Sequence, residues 1–231
     1  MICSYYSRGE DSSSQFDSLK IAKSPSYKKH LNQYNVIFIN MSLEFNSARH
    51  DVNQMISSVT SSIVKELKEA YPQVVFNSPD KLYESLDDVF SVSKVPFVFI
   101  IDEWDRIMRE KKEDAQSLKL YLEWLEGIFK DQVYIALSYM TSILPIKKYG
   151  KQSALSMFKE YSMTAPRKFV SYIGFTEEEV KAICSQHDVD FNQMKNWYDG
   201  YSFKKEPHIY NPNSVVQAVE DREFTSYWTK T

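Results

Sequence analysis

Val95-Pro96-Phe97-Val98-Phe99-Ile100-Ile101-Asp102-Glu103-Trp104-Asp105 is an apolar run that stops abruptly in carboxylates. Side chains alternate between the two faces of a strand, so an unbroken apolar run predicts a strand buried on both faces. That is the habit of parallel α/β sheets. Upstream, Asn35-Val36-Ile37-Phe38-Ile39-Asn40 reads the same way; downstream, so does Val133-Tyr134-Ile135-Ala136-Leu137. Between the first two, Val52, Ile56, Val59, Ile63, Val64, Leu67 and Ala70 recur at helical spacing, and Pro72 follows. Pro79 is expected to open a second helix with Leu82, Leu86 and Val89 on one face. Asp114 to Lys130 reads as a third, with Leu118, Tyr121, Leu122, Leu125 and Phe129 inward. Strand, helix and strand in this order predict parallel strands, right-handed crossovers and helices on both faces of the sheet.

After Thr141 the pattern changes. Helices are expected at 152–160, at 176–187 behind the Thr176-Glu177-Glu178-Glu179 cap, near 190–198 and at 212–221, with no buried strand. The chain thus divides into an α/β core, residues 1–146, and a helical region, residues 147–231. Residues 1–34 read as polar loop material, with Ser12-Ser13-Ser14 and Ser24-Pro25-Ser26.

Composition removes several classes. The 231 residues are 43% hydrophobic and carry a net charge of −3, which excludes a disordered chain and gives no general nucleic-acid signature. Two distant cysteines, Cys3 and Cys184, argue against a disulfide framework and for reduced thiols in a cytoplasmic protein. The N-terminus has no signal-peptide pattern, and no run approaches the roughly 20 apolar residues of a membrane span. The histidines are scattered and nothing like GxSxG surrounds a serine, so neither a histidine metal site nor a hydrolase nucleophile is indicated. The five glycines lie far apart. Gly150-Lys151 is preceded five residues earlier by Pro145 and followed by Gln152, so residues 1–231 contain no GxxxxGK[ST] loop.

Ligands of open parallel sheets bind beyond the carboxyl ends of the strands. Asp102-Glu103 stands there, in the pattern of a Walker B strand. The first carboxylate of such a pair holds Mg²⁺, and the second accepts a proton from the water that attacks a γ-phosphate. Ordinary capping of the following helix uses the same residue types. Thr141 and Ser142 follow the next strand, where a hydroxyl either touches that water or caps a turn. Residues 147–168 hold Lys147, Lys148, Lys151, Lys159, Arg167 and Lys168 against Glu160. Lys147 and Arg167 are the candidates for contact with the phosphates of a nucleotide or a nucleic acid; a solvated helix face is the other reading. Trp197-Tyr198-Asp199-Gly200-Tyr201 reads as core packing that ends a helix at glycine, or as a base-stacking platform.

Five blocks, FVFIIDEWD (97–105), ALSYMTSILPI (136–146), GFTEEEV (174–180), WYDGY (197–201) and YNP (210–212), occur in the order and spacing of the bacterial AAA-ATPase-like family. The chain resembles that family over nearly its whole length. The resemblance implies a partial P-loop NTPase core with sheet order 5-1-4-3-2, a helical lid from about residue 150, and ATP with Mg²⁺. It implies Asp102 as the metal carboxylate, Glu103 as the catalytic base and Thr141 as the sensor. Members begin with a strand and a loop of the type RPRRFGKS and often continue into a restriction-endonuclease-like domain. This chain starts at Met1-Ile2-Cys3-Ser4-Tyr5-Tyr6-Ser7-Arg8-Gly9, within the helix that follows that loop. It is therefore expected to be an internal fragment: a truncated ATPase inactive alone, a split ATPase completed by a loop-bearing segment or partner chain, or a non-enzymatic module binding protein or nucleic acid.

Overall fold

The computed structural model describes residues 1–143, 155–203 and 208–227. They fall into two compact units, Met1–Lys159 and Glu160–Thr231.

The first unit is built on a parallel sheet of β1 (Asn35–Asn40), β2 (Phe97–Asp102) and β3 (Ile135–Met140), in that order. The register sets Ile37 beside Phe99 and Ser138, and Ile39 beside Ile101 and Met140. The sheet is flanked by helices. Beside β1 stand α1 (Ile2–Tyr6) and α4 (Met41–Ser47), while α2 (Ser13–Phe16) and α3 (Tyr27–His30) pack with α1. The longer helices are α5 (Val52–Ala70), α6 (Leu82–Ser93) and α8 (Ala115–Phe129), with the short α7 (Arg106–Glu110) directly after β2. Ile37, Ile39, Phe97, Phe99 and Ile101 share one buried core with Val59 and Val64 of α5, Leu86 of α6 and Leu125 of α8. The Asp51 and Asp114 side chains cap α5 and α8 by accepting from the Gln54 and Ser117 amides.

The observed order β3-β2-β1 matches the last three places of the implied order 5-1-4-3-2. The strands differ from expectation in burial. Among the described residues β1 and β3 each pair with β2 alone, so only β2 is apolar and buried on both faces. Phe38 is 55% and Tyr139 48% exposed, on the face that buries Val98 and Ile100 between them. The third strand also begins two residues later than expected. Val133 is 73% exposed, while Tyr134 is buried with its hydroxyl donating to the Ile128 carbonyl. Pro79 does not open α6, which starts at Leu82.

Residues 1–34 are more than loop. Tyr5, Phe16 and Tyr27 form a small core, and the Tyr5 hydroxyl donates to the Tyr27 carbonyl at 2.8 Å. Tyr34 N–H donates to the Tyr6 carbonyl and Arg8 N–H to the Tyr34 carbonyl, so this segment meets the start of β1. These helices escape a periodicity reading because each spans a single turn or so.

In the second unit, a 3₁₀ helix (Arg167–Tyr172) precedes β4 (Phe175–Thr176), α9 (Glu177–His187), α10 (Phe191–Tyr198), β5 (Asp199–Tyr201), β6 (Ile209–Tyr210) and α11 (Pro212–Asp221). Three helices stand where the sequence puts them. Thr176 and Glu179 form the capping box at α9. The strands are a correction: β4, β6 and β5 make a small antiparallel sheet, too short to leave a sequence period. Gly174 serves this sheet, since a Cβ there would lie 2.6 Å from the Tyr210 carbonyl oxygen. The helix expected at 152–160 is also corrected. Residues 155–160 hold a turn and a bend but no helix, and 152–154 lie outside the described residues.

Phe99 packs edge-on against Phe129 at 5.2 Å between ring centres. Phe99→Ala should cost about 3–5 kcal/mol of stability in urea titrations. Phe38→Ala, on the exposed face, should stay within about 0.5 kcal/mol of the parent.

Candidate functional site

Parallel strands bring their carboxyl ends to one side of the sheet. Asn40 pairs with Asp102, and Ile101 with Met140, so Asn40 and Asp102 end their strands on the same side as Thr141, which follows β3. Backbone bonds continue past the strand ends: Thr141 N–H donates to the Ile101 carbonyl, and Trp104 N–H to the Thr141 carbonyl.

The Thr141 hydroxyl joins the two acidic residues. It donates to Asp102 Oδ1 and accepts from the Glu103 amide at 3.1 Å. A hydroxyl can do both at once, which an amide-blind methyl cannot. Glu103 turns the chain sharply out of β2, with φ at 51° in the left-handed region.

The Glu103 carboxylate, with its side chain 39% exposed, receives two donors. The Ser42 hydroxyl lies 3.0 Å and Arg109 Nη2 2.7 Å from the same oxygen, Oε2. The Ser42 bond and then the Arg109 charge hold this carboxyl below the usual glutamate range. Ser42 is in place because the Asn40 side chain caps α4, accepting from the Leu43 amide. Arg109 is in place because its Nε donates to Asp105 Oδ2 at 3.1 Å, one helical turn away. Asp105 is fully buried. The neighbouring Trp104 is buried too, its carbonyl accepting from the Tyr121 hydroxyl at 2.7 Å.

Asp102, Glu103 and Thr141 therefore stand together. Lys147 lies outside the described residues, and Arg167 begins the 3₁₀ helix of the second unit. Four members carry no role in the sequence reading: Asp105 and Arg109, although they stand four apart, and Ser42 and Asn40, whose part depends on β1 lying beside β2. Among the described residues no three His, Cys, Asp or Glu side chains converge on a metal position. A single carboxylate beside a hydroxyl is an oxygen-only donor set. It suits a hard divalent cation that completes its shell with phosphate and water.

A model of the AAA-ATPase-like family, described as "Predicted AAA-ATPase", matches residues 1–152. The chain belongs to the AAA-ATPase-like family. It is also similar to an "Uncharacterized protein in vnfD 5'region" of Azotobacter chroococcum mcd 1. The two are 24% identical over 140 residues, covering 58% of this chain and 27% of that protein. The chain thus aligns with about a quarter of the relative's length. No solved structure matches it. Family membership points to nucleotide binding in general terms. No described helix of this AAA-ATPase-like chain is long and apolar enough to cross a membrane.

Thr141→Val should cost roughly 1–3 kcal/mol, because it strips a partner from Asp102 and the Glu103 amide; Thr141→Ser should restore most of it in the same urea assay. The lowered Glu103 value also fixes a sign. Its stabilisation is fully present above the ordinary glutamate pKa and is lost as pH falls through the lowered folded value. The fall in urea midpoint on acidification should therefore be shallower in Glu103→Gln than in the parent. A slope remains in both, because Glu84 and Glu177 are also lowered, each to about 2.

Proposed function

We propose that the strand-end cluster is the hydrolytic half of an ATPase site. The observation that carries this reading is the meeting of Asp102, Glu103 and Thr141 at one end of a parallel sheet, in a chain of the AAA-ATPase-like family. Asp102 would hold Mg²⁺, directly or through water, and Thr141 would keep that carboxylate aligned. Glu103 would take the proton of the water attacking the γ-phosphate. Bound Mg²⁺ would supply charge neutralisation at the phosphate oxygens. Lys147 and Arg167 are proposed to meet phosphates.

Residues 1–231 hold no GxxxxGK[ST] stretch, so the reading requires the phosphate cradle from elsewhere. We assign it to a loop-bearing segment or partner chain that adds a strand to β3, whose outer edge is unpaired among the described residues. A second reading is supported by the exposed Phe38, Leu137 and Tyr139: a non-enzymatic module that docks protein there, its carboxylates vestigial.

Purified residues 1–231 should turn over no ATP above background. Supplied with a loop-bearing segment, they should hydrolyse it. Asp102→Ala should then lose Mg²⁺-dependent turnover. Glu103→Gln should retain bound nucleotide but slow hydrolysis about 10²–10⁴-fold. Equal rates in the parent and both variants would remove the ATPase reading and leave the docking module.

A further inference from the structure

The two donors to Glu103 share one oxygen. Ser42 and Arg109 both bond Oε2, and Oε1 receives no hydrogen bond among the described residues. A carboxylate clamped through one oxygen presents the other in a fixed direction. The clamp has an anchor. Asp105 is fully buried, and a buried carboxylate costs several kcal/mol unless it is paired. Arg109 meets that need through Nε, and the Ile143 amide approaches the other Asp105 oxygen at 3.4 Å. The planar guanidinium then has its far edge set, and Nη2 reaches Glu103. A lysine has one nitrogen at the end of a flexible stem and cannot span both carboxylates in this way.

We infer that Arg109 is a positioning residue: anchored on buried Asp105, it pins Glu103 Oε2 so that Oε1 is the atom that accepts the proton. The inference rests on the ATPase reading for the proton's source, but the Asp105–Arg109–Glu103 linkage is testable without it. Three-part linkages of this kind, in which a buried acid orients the group that orients the base, remove side-chain freedom before the reaction. An unrestrained glutamate would lose that freedom only on reacting.

The test is NMR of the labelled full chain at a single neutral pH. Scalar couplings report the Glu103 rotamer, and the Arg109 Nη–H signals report whether guanidinium rotation is arrested. In the parent, Glu103 should occupy one rotamer and Arg109 should show separate Nη–H signals. Arg109→Lys should average the Glu103 rotamer. Asp105→Asn should do so as well, although Asp105 does not touch Glu103. The paired change Asp105→Asn with Arg109→Gln removes both charges together, so the fold is kept where Arg109→Gln alone would take the bound cation from the buried Asp105 carboxylate. There too Glu103 should average. A role confined to stability would lower the urea midpoint and leave Glu103 in its single rotamer, held by Ser42. That result in the folded paired variant overturns the inference. Mg²⁺ with ATP added to the same samples separates the two readings. If Asp102 signals fail to respond even with a loop-bearing segment present, the ATPase reading falls, while rotamer averaging in the variants still upholds the positioning linkage.

Discussion

Strand β2 is hydrogen-bonded on both sides by parallel neighbours, and the rest of the first unit follows from that constraint. Bonding on both edges leaves no backbone group of its apolar stretch to find another partner. Burial on both faces lets Phe97 to Ile101 be apolar throughout. Parallel pairing then puts three strand ends on one side, so residues far apart in the chain, Asn40, Asp102 and Thr141, become neighbours. An antiparallel sheet of the same strands would scatter them to opposite ends. The helices α5, α6 and α8 complete the arrangement by covering the Ile37–Phe99 face.

At that end the chain reverses its chemistry within one residue, from buried hydrocarbon to charge. Three donors manage the transition. The Thr141 hydroxyl ties the end of one strand to the turn after another, Ser42 reaches in from the helix after β1, and Arg109 returns from α7. The low value of the Glu103 carboxyl follows from donors supplied by two different crossovers, so the lowering depends on the sheet being assembled.

The sequence was legible where a physical preference repeats along it. Helix α5 shows five turns of apolar spacing, and β2 is read from its unbroken run. The cap at Thr176 is legible because a short polar side chain three residues before a glutamate has a local use at a helix start. The exposure of β1 and β3 is not legible, since Phe38 and Leu137 are as apolar as their same-face partners Ile100 and Val98; the latter sit on the central strand and the former on the edge strands. The two-residue strands β4 and β6 contain no period at all. Of the site, Asp102, Glu103 and Thr141 were visible as strand-end residues, whereas Ser42 and Arg109 act through tertiary proximity. Serine and arginine are common on exposed surfaces, and nothing local marks these two.

The left-handed backbone at Glu103 sets local geometry against chemistry. A non-glycine residue in that region carries strain on the order of 1 kcal/mol or more, and glycine would carry none. For the turn alone, then, glycine is the better residue. A carboxylate there is kept at the expense of the backbone beneath it. Glycine would also take away the carboxylate that Ser42 and Arg109 bond, so the turn and the hydrogen bonds at position 103 favour different residues.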